Sequence, residues 1–197
     1  MPAPLEIHTP RRLLALQDHD LAVRSELAAD GRLREGYHPR LEAVHLANAA
    51  ELGAIIDAQG WPDEARVGCD AAEAAWLVAQ HAISNPAFMR RCRALIDEAS
   101  RAGRVPRWQF AYIDDRIRVF EGRPQRFGTQ FDITPQGPVL ETLEDPRLVD
   151  AWRHEVGLGP VSEVLERAGD SALPTSEVHA ARQAAGHAWR RQVGWLP

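Results

Sequence analysis

Apolar residues recur at intervals of three and four between Arg11 and Ala29, where Leu13, Leu14, Leu21 and Leu27 fall near helical spacing. That period is the mark of an amphipathic helix. A second stripe, Leu41, Val44, His45, Asn48, Leu52, Ile55 and Ile56, predicts a helix that opens at His38-Pro39 and runs to about Ala58. Gly60-Trp61-Pro62 stops it, with glycine as terminator and proline as breaker. Asp70 and Glu73 have the spacing of a capping box for a third helix, from about Ala71 to Ile83. Asn85-Pro86 offers an N-cap followed by proline at the first helical position, which starts a fourth helix reaching Arg101. A fifth spans Pro106 to Phe120 and ends at Gly122, although its last four residues, IRVF, suit a strand as well.

The pattern changes after residue 122. The stretch 122–140, GRPQRFGTQFDITPQGPVL, is rich in glycine and proline and allows two short strands, Gly128–Ile133 and Val139–Glu141. Short helices follow near Pro146–Val156 and Val161–Arg167, and an alanine-rich helix runs from Ser176 to Arg191. There is no internal repeat and no linker long enough to divide the chain. The expected fold is mainly α: a helical bundle with one short hairpin or irregular segment near residues 122–141, in one domain over 1–197.

Candidate chemistry comes from polar residues placed where the period predicts burial. His45 and Asn48 interrupt the second stripe, and Gln80 lies one turn after Trp76 with His81 beside it. Trp108, Tyr112, Asp115 and Val119 share a face, Arg116 adjoins Asp115, and Gln17 with Arg24 fall on the Leu14/Leu21 line. A buried polar group without a partner costs roughly 2–7 kcal/mol depending on the reference state. Several helices doing this together imply either a closed internal network or the polar wall of a ligand cavity. The segment 122–130 adds Gln125, Thr129 and Gln130 beside glycines that let a ligand approach the backbone.

Composition narrows the chemistry. All 23 basic residues are arginine. The absence of lysine excludes a lysine Schiff base, a phosphate loop of the Walker type and a lysine general base. No run approaches about 18 apolar residues, so no transmembrane helix is expected. The N-terminal residues lack the zones of a signal peptide. Two isolated cysteines, Cys69 and Cys92, suit a reducing compartment, and the cytoplasm is the expected location. Cys92 stands between two arginines that could lower its pKa, although a buried inert thiol is the plainer expectation. His8, His19 and His38 are expected at the surface. No HExxH, GxSxG or paired CxxC motif is present. Residues 90–126 hold ten arginines against five acids in a chain of net charge −5, an asymmetry that could attract phosphate or nucleic acid. No nucleic-acid motif accompanies it, and nucleic acid is not expected as a partner.

GWP at 60–62, Gly68, AAWLVAQHA at 74–82, DDRIRVFEGRPQRFGTQ at 114–130 and GLGP at 157–160 resemble a bacterial family known only as a domain of unknown function. The resemblance covers about residues 10–165 and leaves the helical extension from about 168 to 197 outside it. It implies that Asn48, Gln80, His81, Asp115, Arg116, Gln125, Gly128, Thr129 and Gln130 belong to the family pattern, and it implies no activity. Two positions depart from it, His45 and Ile83, where relatives often carry an acid.

The residues together lead to an expectation of a small-molecule-binding domain, with a polar or anionic ligand. His81 would be the general acid/base, Asp115 would orient it, and Gln80, Arg116, Gln125 and Gln130 would fix the ligand beside His45, Asn48 and Thr129. His45, His81 and Asp115 would also suit a facial metal triad. Nothing in their spacing demands one, so no metal or cofactor is expected. The competing expectation is a non-catalytic interaction module that uses an arginine-rich face or the C-terminal helix. Neither oligomeric state nor reaction type can be read from the residues.

Overall fold

The computed structural model describes residues 8–34, 36–168 and 172–197. The described residues are mainly helical, 66% helix with a two-stranded antiparallel hairpin. It forms two compact units, Met1–Val105 and Pro106–Pro197, and no glycine- or proline-rich linker announces the boundary.

In the first unit, α1 (Thr9–Ala29), α2 (Pro39–Gln59), α3 (Glu64–Val67), α4 (Cys69–His81) and α5 (Pro86–Arg101) follow one another, with a 3-10 turn at Arg32–Arg34. Helix α1 packs against both α2 and α4, and α2 also packs on α4. Two of the predicted caps take unexpected forms. The His38 side chain, expected at the surface, accepts from the Arg40 amide at 3.1 Å and caps α2. Asp70 does not open α4; the helix begins two residues earlier than expected, after Gly68, with no side-chain cap. Asn85 caps α5 as its sequence suggests, accepting from the Phe88 amide at 3.1 Å.

The buried face of α1 is Thr9, Leu13, Asp20, Val23 and Leu27. It is not the Leu14/Leu21 line: Leu21 is 45% exposed, and Arg24 is exposed as well. The face is set by what packs best on α2 and α4, and leucines on two adjoining lines leave the sequence undecided between them. Asp20 is thereby carried into the interior.

In the second unit, α6 (Arg107–Phe120) is helical to its end, IRVF included. Strands β1 (Phe131–Thr134) and β2 (Gly137–Leu140) pair antiparallel with Phe131 opposite Leu140. Then come α7 (Val149–Glu155), α8 (Ser162–Ala168) and α9 (Ser176–Gln192). The first strand starts three residues later than expected, because residues 125–130 are held in a buried loop.

Candidate functional site

Three helices of the first unit bring one acid and two imidazoles together. Asp20 of α1, 1% exposed, lies between His45 of α2 and His81 at the end of α4. His45 Nε2 is 3.0 Å from Asp20 Oδ1, and His81 Nδ1 is 2.5 Å from Asp20 Oδ2. The rings of His45 and His81 lie 5.0 Å apart. Beyond His45, its Nδ1 meets the Tyr37 hydroxyl at 2.7 Å, the two rings being stacked. Ser84 stands beside Tyr37, and its hydroxyl donates to Glu42 at 2.5 Å. A hydrogen-bonded chain thus runs from His81 through Asp20 and His45 to Tyr37, with the Ser84–Glu42 pair beside its end.

Burial by itself raises the pKa of Asp20. Hydrogen bonds from His45 and His81, with the positive charge each ring can carry, overcome that effect and hold the carboxyl below the usual range. Burial pushes the Tyr37 phenol well above its ordinary value, and the charges of Glu42 and Asp20 add to the shift while Ser84 opposes it. Tyr37 therefore stays a neutral phenol. His81 is the outermost member, its side chain 19% exposed against 1% for Asp20 and 6% for His45.

Asn48 and Gln80 accompany the trio on the same helices, both buried. Asn48 donates to the Leu16 carbonyl at 2.9 Å and so ties α2 to α1. Gln80 directly precedes His81 near the C-terminal end of α4.

The partner expected for His81 was Asp115, and that pairing has to be corrected. His81 takes Asp20, and Asp115 of α6 has a different occupation in the second unit. Asp115 is fully buried, and its Oδ1 accepts from the amides of Arg126 and Phe127 at 2.8 and 3.0 Å. Its Oδ2 accepts from the amides of Phe127 and Thr129 and from the Thr129 hydroxyl, at 3.1, 3.0 and 3.0 Å. Burial raises its pKa, and these bonds oppose the rise without cancelling it.

The rest of the 125–130 segment is closed in the same way. Gln125, fully buried, donates through Nε2 to the carbonyls of Gln130 and Glu141, and its Oε1 accepts from the Gln130 amide. Gln130 donates to the Thr129 hydroxyl at 3.0 Å and accepts from Arg116 Nε at 3.3 Å. Gly128 has φ +61, and an added Cβ would stand 2.9 Å from Val161 Cγ2, so glycine is required. Arg153, 1% exposed, donates to the carbonyls of Phe127 and Gly159 at 2.8 and 2.5 Å. The polar groups that looked ligand-facing in the sequence here fasten a loop to its own helix and hairpin.

Asp20, Tyr37, Glu42 and Ser84 were missed as site residues. Asp20 could have been found from the Leu13–Val23–Leu27 line, which it interrupts as the only charged member. Tyr37 and Ser84 carry no periodic signal, since each lies just before a helix, and Glu42 lies in the first turn of α2 beside the apolar stripe. Cys92 is fully buried, and burial pushes its thiol up to about 12 in spite of Arg91.

Among the described residues, Asp20, His45 and His81 also form a group able to hold a metal ion, with one ligand atom of each lying within 4.8 Å of the others. No helix among the described residues is long and apolar enough to cross a membrane.

No curated protein and no solved structure matches the chain. Residues 8–173 match one family across most of the chain, including both the polar trio and the 125–130 loop, so the protein belongs to the family of unknown function DUF6624.

Proposed function

We propose that the first unit is an enzyme domain acting on a small polar or anionic metabolite, with His81 as general acid/base and Asp20 as its positioning residue. One observation carries this reading: a buried carboxylate stands 2.5 Å from Nδ1 of a histidine at the edge of the core. A carboxylate at Nδ1 fixes the proton there and leaves Nε2 as the basic nitrogen, the division of labour used by hydrolytic triads. His45 holds the other oxygen of Asp20, and Tyr37 holds His45, so the acceptor cannot rotate away from His81. A base positioned in this way contributes about 10²–10⁴-fold to a rate. The chain has no lysine, so a lysine general base does not compete with this imidazole.

The test is a screen of polar and anionic metabolites by thermal shift, with turnover followed for every binder. Conversion should vanish in His81→Ala and fall by about a hundredfold or more in Asp20→Asn, both variants keeping a helical far-UV spectrum. Conversion that survives His81→Ala unchanged would sink the proposal. Binders that are never converted would leave a binding module in its place.

A second reading has its own support, the ligand atoms of Asp20, His45 and His81 clustered within 4.8 Å. Two imidazoles and a carboxylate suit zinc or non-haem iron, and Tyr37 would serve His45 as an outer partner. In this reading His81 is a ligand and not a base. Protein purified without chelator would carry about one equivalent of metal, lost in His81→Ala; metal-free protein with full turnover favours the acid/base reading.

A further inference from the structure

A cavity of about 260 Å³ lies within the second unit, where the end of α6 and the turn after it meet the end of β2 and α9. It is smaller than the pockets that hold drug-sized molecules, roughly 300–1,000 Å³. Arg123, Glu141, Thr142 and Arg190 bring the polar groups of its wall. Glu141 is half-buried, and its carboxylate makes no hydrogen bond or ion pair among the described residues, although both oxygens reach solvent. Burial and the charge of Asp132 raise its pKa, and Arg190 opposes the rise without pairing with it. Arg190 donates through Nη1 to the Val119 carbonyl at 3.1 Å; its Nε and Nη2 have no acceptor among the described residues and likewise reach solvent. Arg123 is exposed and bonds Glu121 through Nε and Nη2, which leaves Nη1 open. The Thr142 side chain is exposed as well.

The wall is tied down from behind. The Glu141 amide donates to the Gln130 carbonyl at 3.2 Å, and the carbonyls of Glu141 and Thr142 accept from Gln125 at 2.9 and 2.8 Å. Trp189, beside Arg190, and Trp195 both rest on Phe120 of α6, with ring centroids 5.7 and 5.2 Å away. Opposite charges are thus held around one space without neutralising each other, and such a site needs little ordering to bind. A purely structural role would pair Glu141 with Arg190, as Arg118 pairs with Asp114 and Glu144 in the same unit. Two guanidiniums against one carboxylate make the occupant an anion, and the carboxylate requires a hydrogen-bond donor from it. A halide or a simple carboxylate brings no donor, and a zwitterion leaves the second guanidinium unmatched. A phosphate group brings several anionic oxygens and keeps a proton into the neutral range, its last ionisation lying at about 6 on an ester.

We propose that this cavity binds a phosphate group, as the free ion or as a small monoester. Arg123 and Arg190 take its anionic oxygens, and Glu141 accepts the hydrogen bond of its remaining P–OH. Arg190 lies beyond the residues that match the family, so α9 completes the site.

The test is calorimetric titration of the full chain at neutral pH with inorganic phosphate, glycerol 3-phosphate and sulfate. Phosphate in one of its two forms should bind saturably with a Kd below about 1 mM, and the tighter of the two names the source, free ion or ester. Sulfate should bind at least about tenfold more weakly, because it brings no proton to Glu141. Glu141→Gln should erase that preference, since the new amide donates to either ion. Arg123→Gln, which leaves the bond from Arg190 to Val119 in place, should weaken phosphate binding by about tenfold or more. No saturable binding of either phosphate by the wild type would overturn the proposal. So would sulfate binding as tightly as phosphate, a preference that survives Glu141→Gln, or unchanged affinity in Arg123→Gln.

Discussion

Single residues in this protein divide into those that hold a charge inside the fold and those that hold a loop. Asp20 is of the first kind. Its folded pKa is depressed below an unfolded value near 3.9. The sign follows: the stabilisation is complete above that unfolded value and is lost as pH falls through the folded one. Asp20→Asn should therefore lower the melting temperature at neutral pH and flatten its decline below about pH 4. A melting profile in which the wild type and Asp20→Asn run parallel through the acid range would contradict the charged pairing. Asp115 is of the second kind. Its removal strands three backbone amides and a hydroxyl, each at about 1–3 kcal/mol if left unmet. Even 3 kcal/mol corresponds to roughly 6–12 °C in a chain of this size. Thermal melts of Asp115→Ala should fall by ten degrees or so, and a shift of a degree or two would mean that the loop is held by something else.

At the scale of elements, the choice of face on α1 decides where the chemistry lies. Leu13 and Leu21 look equivalent in the sequence, but Leu13 is fully buried and Leu21 is 45% exposed. Leu13→Ala should cost about 2–5 kcal/mol, whereas Leu21→Ala should stay within about 0.5 kcal/mol. Denaturant melts of the two variants check the face, and equal losses would put α1 in the wrong rotation and take Asp20 out of the interior. The caps show how far local rules reach. Asn85 obeys them, because its acceptor and the Phe88 amide lie within one turn. Asp70 and Glu73 satisfy the spacing of a capping box, yet Gly68, with φ +82, turns the chain into α4 earlier and leaves both acids on an exposed surface.

Over the whole molecule, half of the ten arginines in the 90–126 stretch pair with acids inside their own unit. Arg91 pairs with Asp57, Arg101 with Asp97, and Arg104 with Asp63 in the first unit. In the second, Arg118 pairs with Asp114 and Glu144, and Arg123 with Glu121. Arg126 lies 4.6 Å over the Trp152 ring. Much of the positive charge that runs together along the sequence is thus paired in space, in a chain of net charge −5. Binding to a mixed-sequence duplex should be absent at 150 mM salt, and fluorescence anisotropy is the direct check. Measurable binding with a steep salt slope would restore a phosphate-binding face.

Period, caps and turn residues by themselves determined the longer helices, a short hairpin or irregular segment near 122–141 and the family, since these rest on interactions within a few residues or on residue identity; the short helix at Glu64–Val67 left no such mark. The sequence also marked His45, Asn48, Gln80, His81 and Asp115 as polar residues in or beside apolar stripes, and all but the 19%-exposed His81 are buried. Only the tertiary structure decided their partners. Asp20 stands 61 residues before His81, and nothing in local spacing joins them. The 125–130 loop carried the same ambiguity. Its glutamines and threonine could face a ligand or their own chain, and the choice is made by the helix and strands packed around them, where every buried amide needs an acceptor.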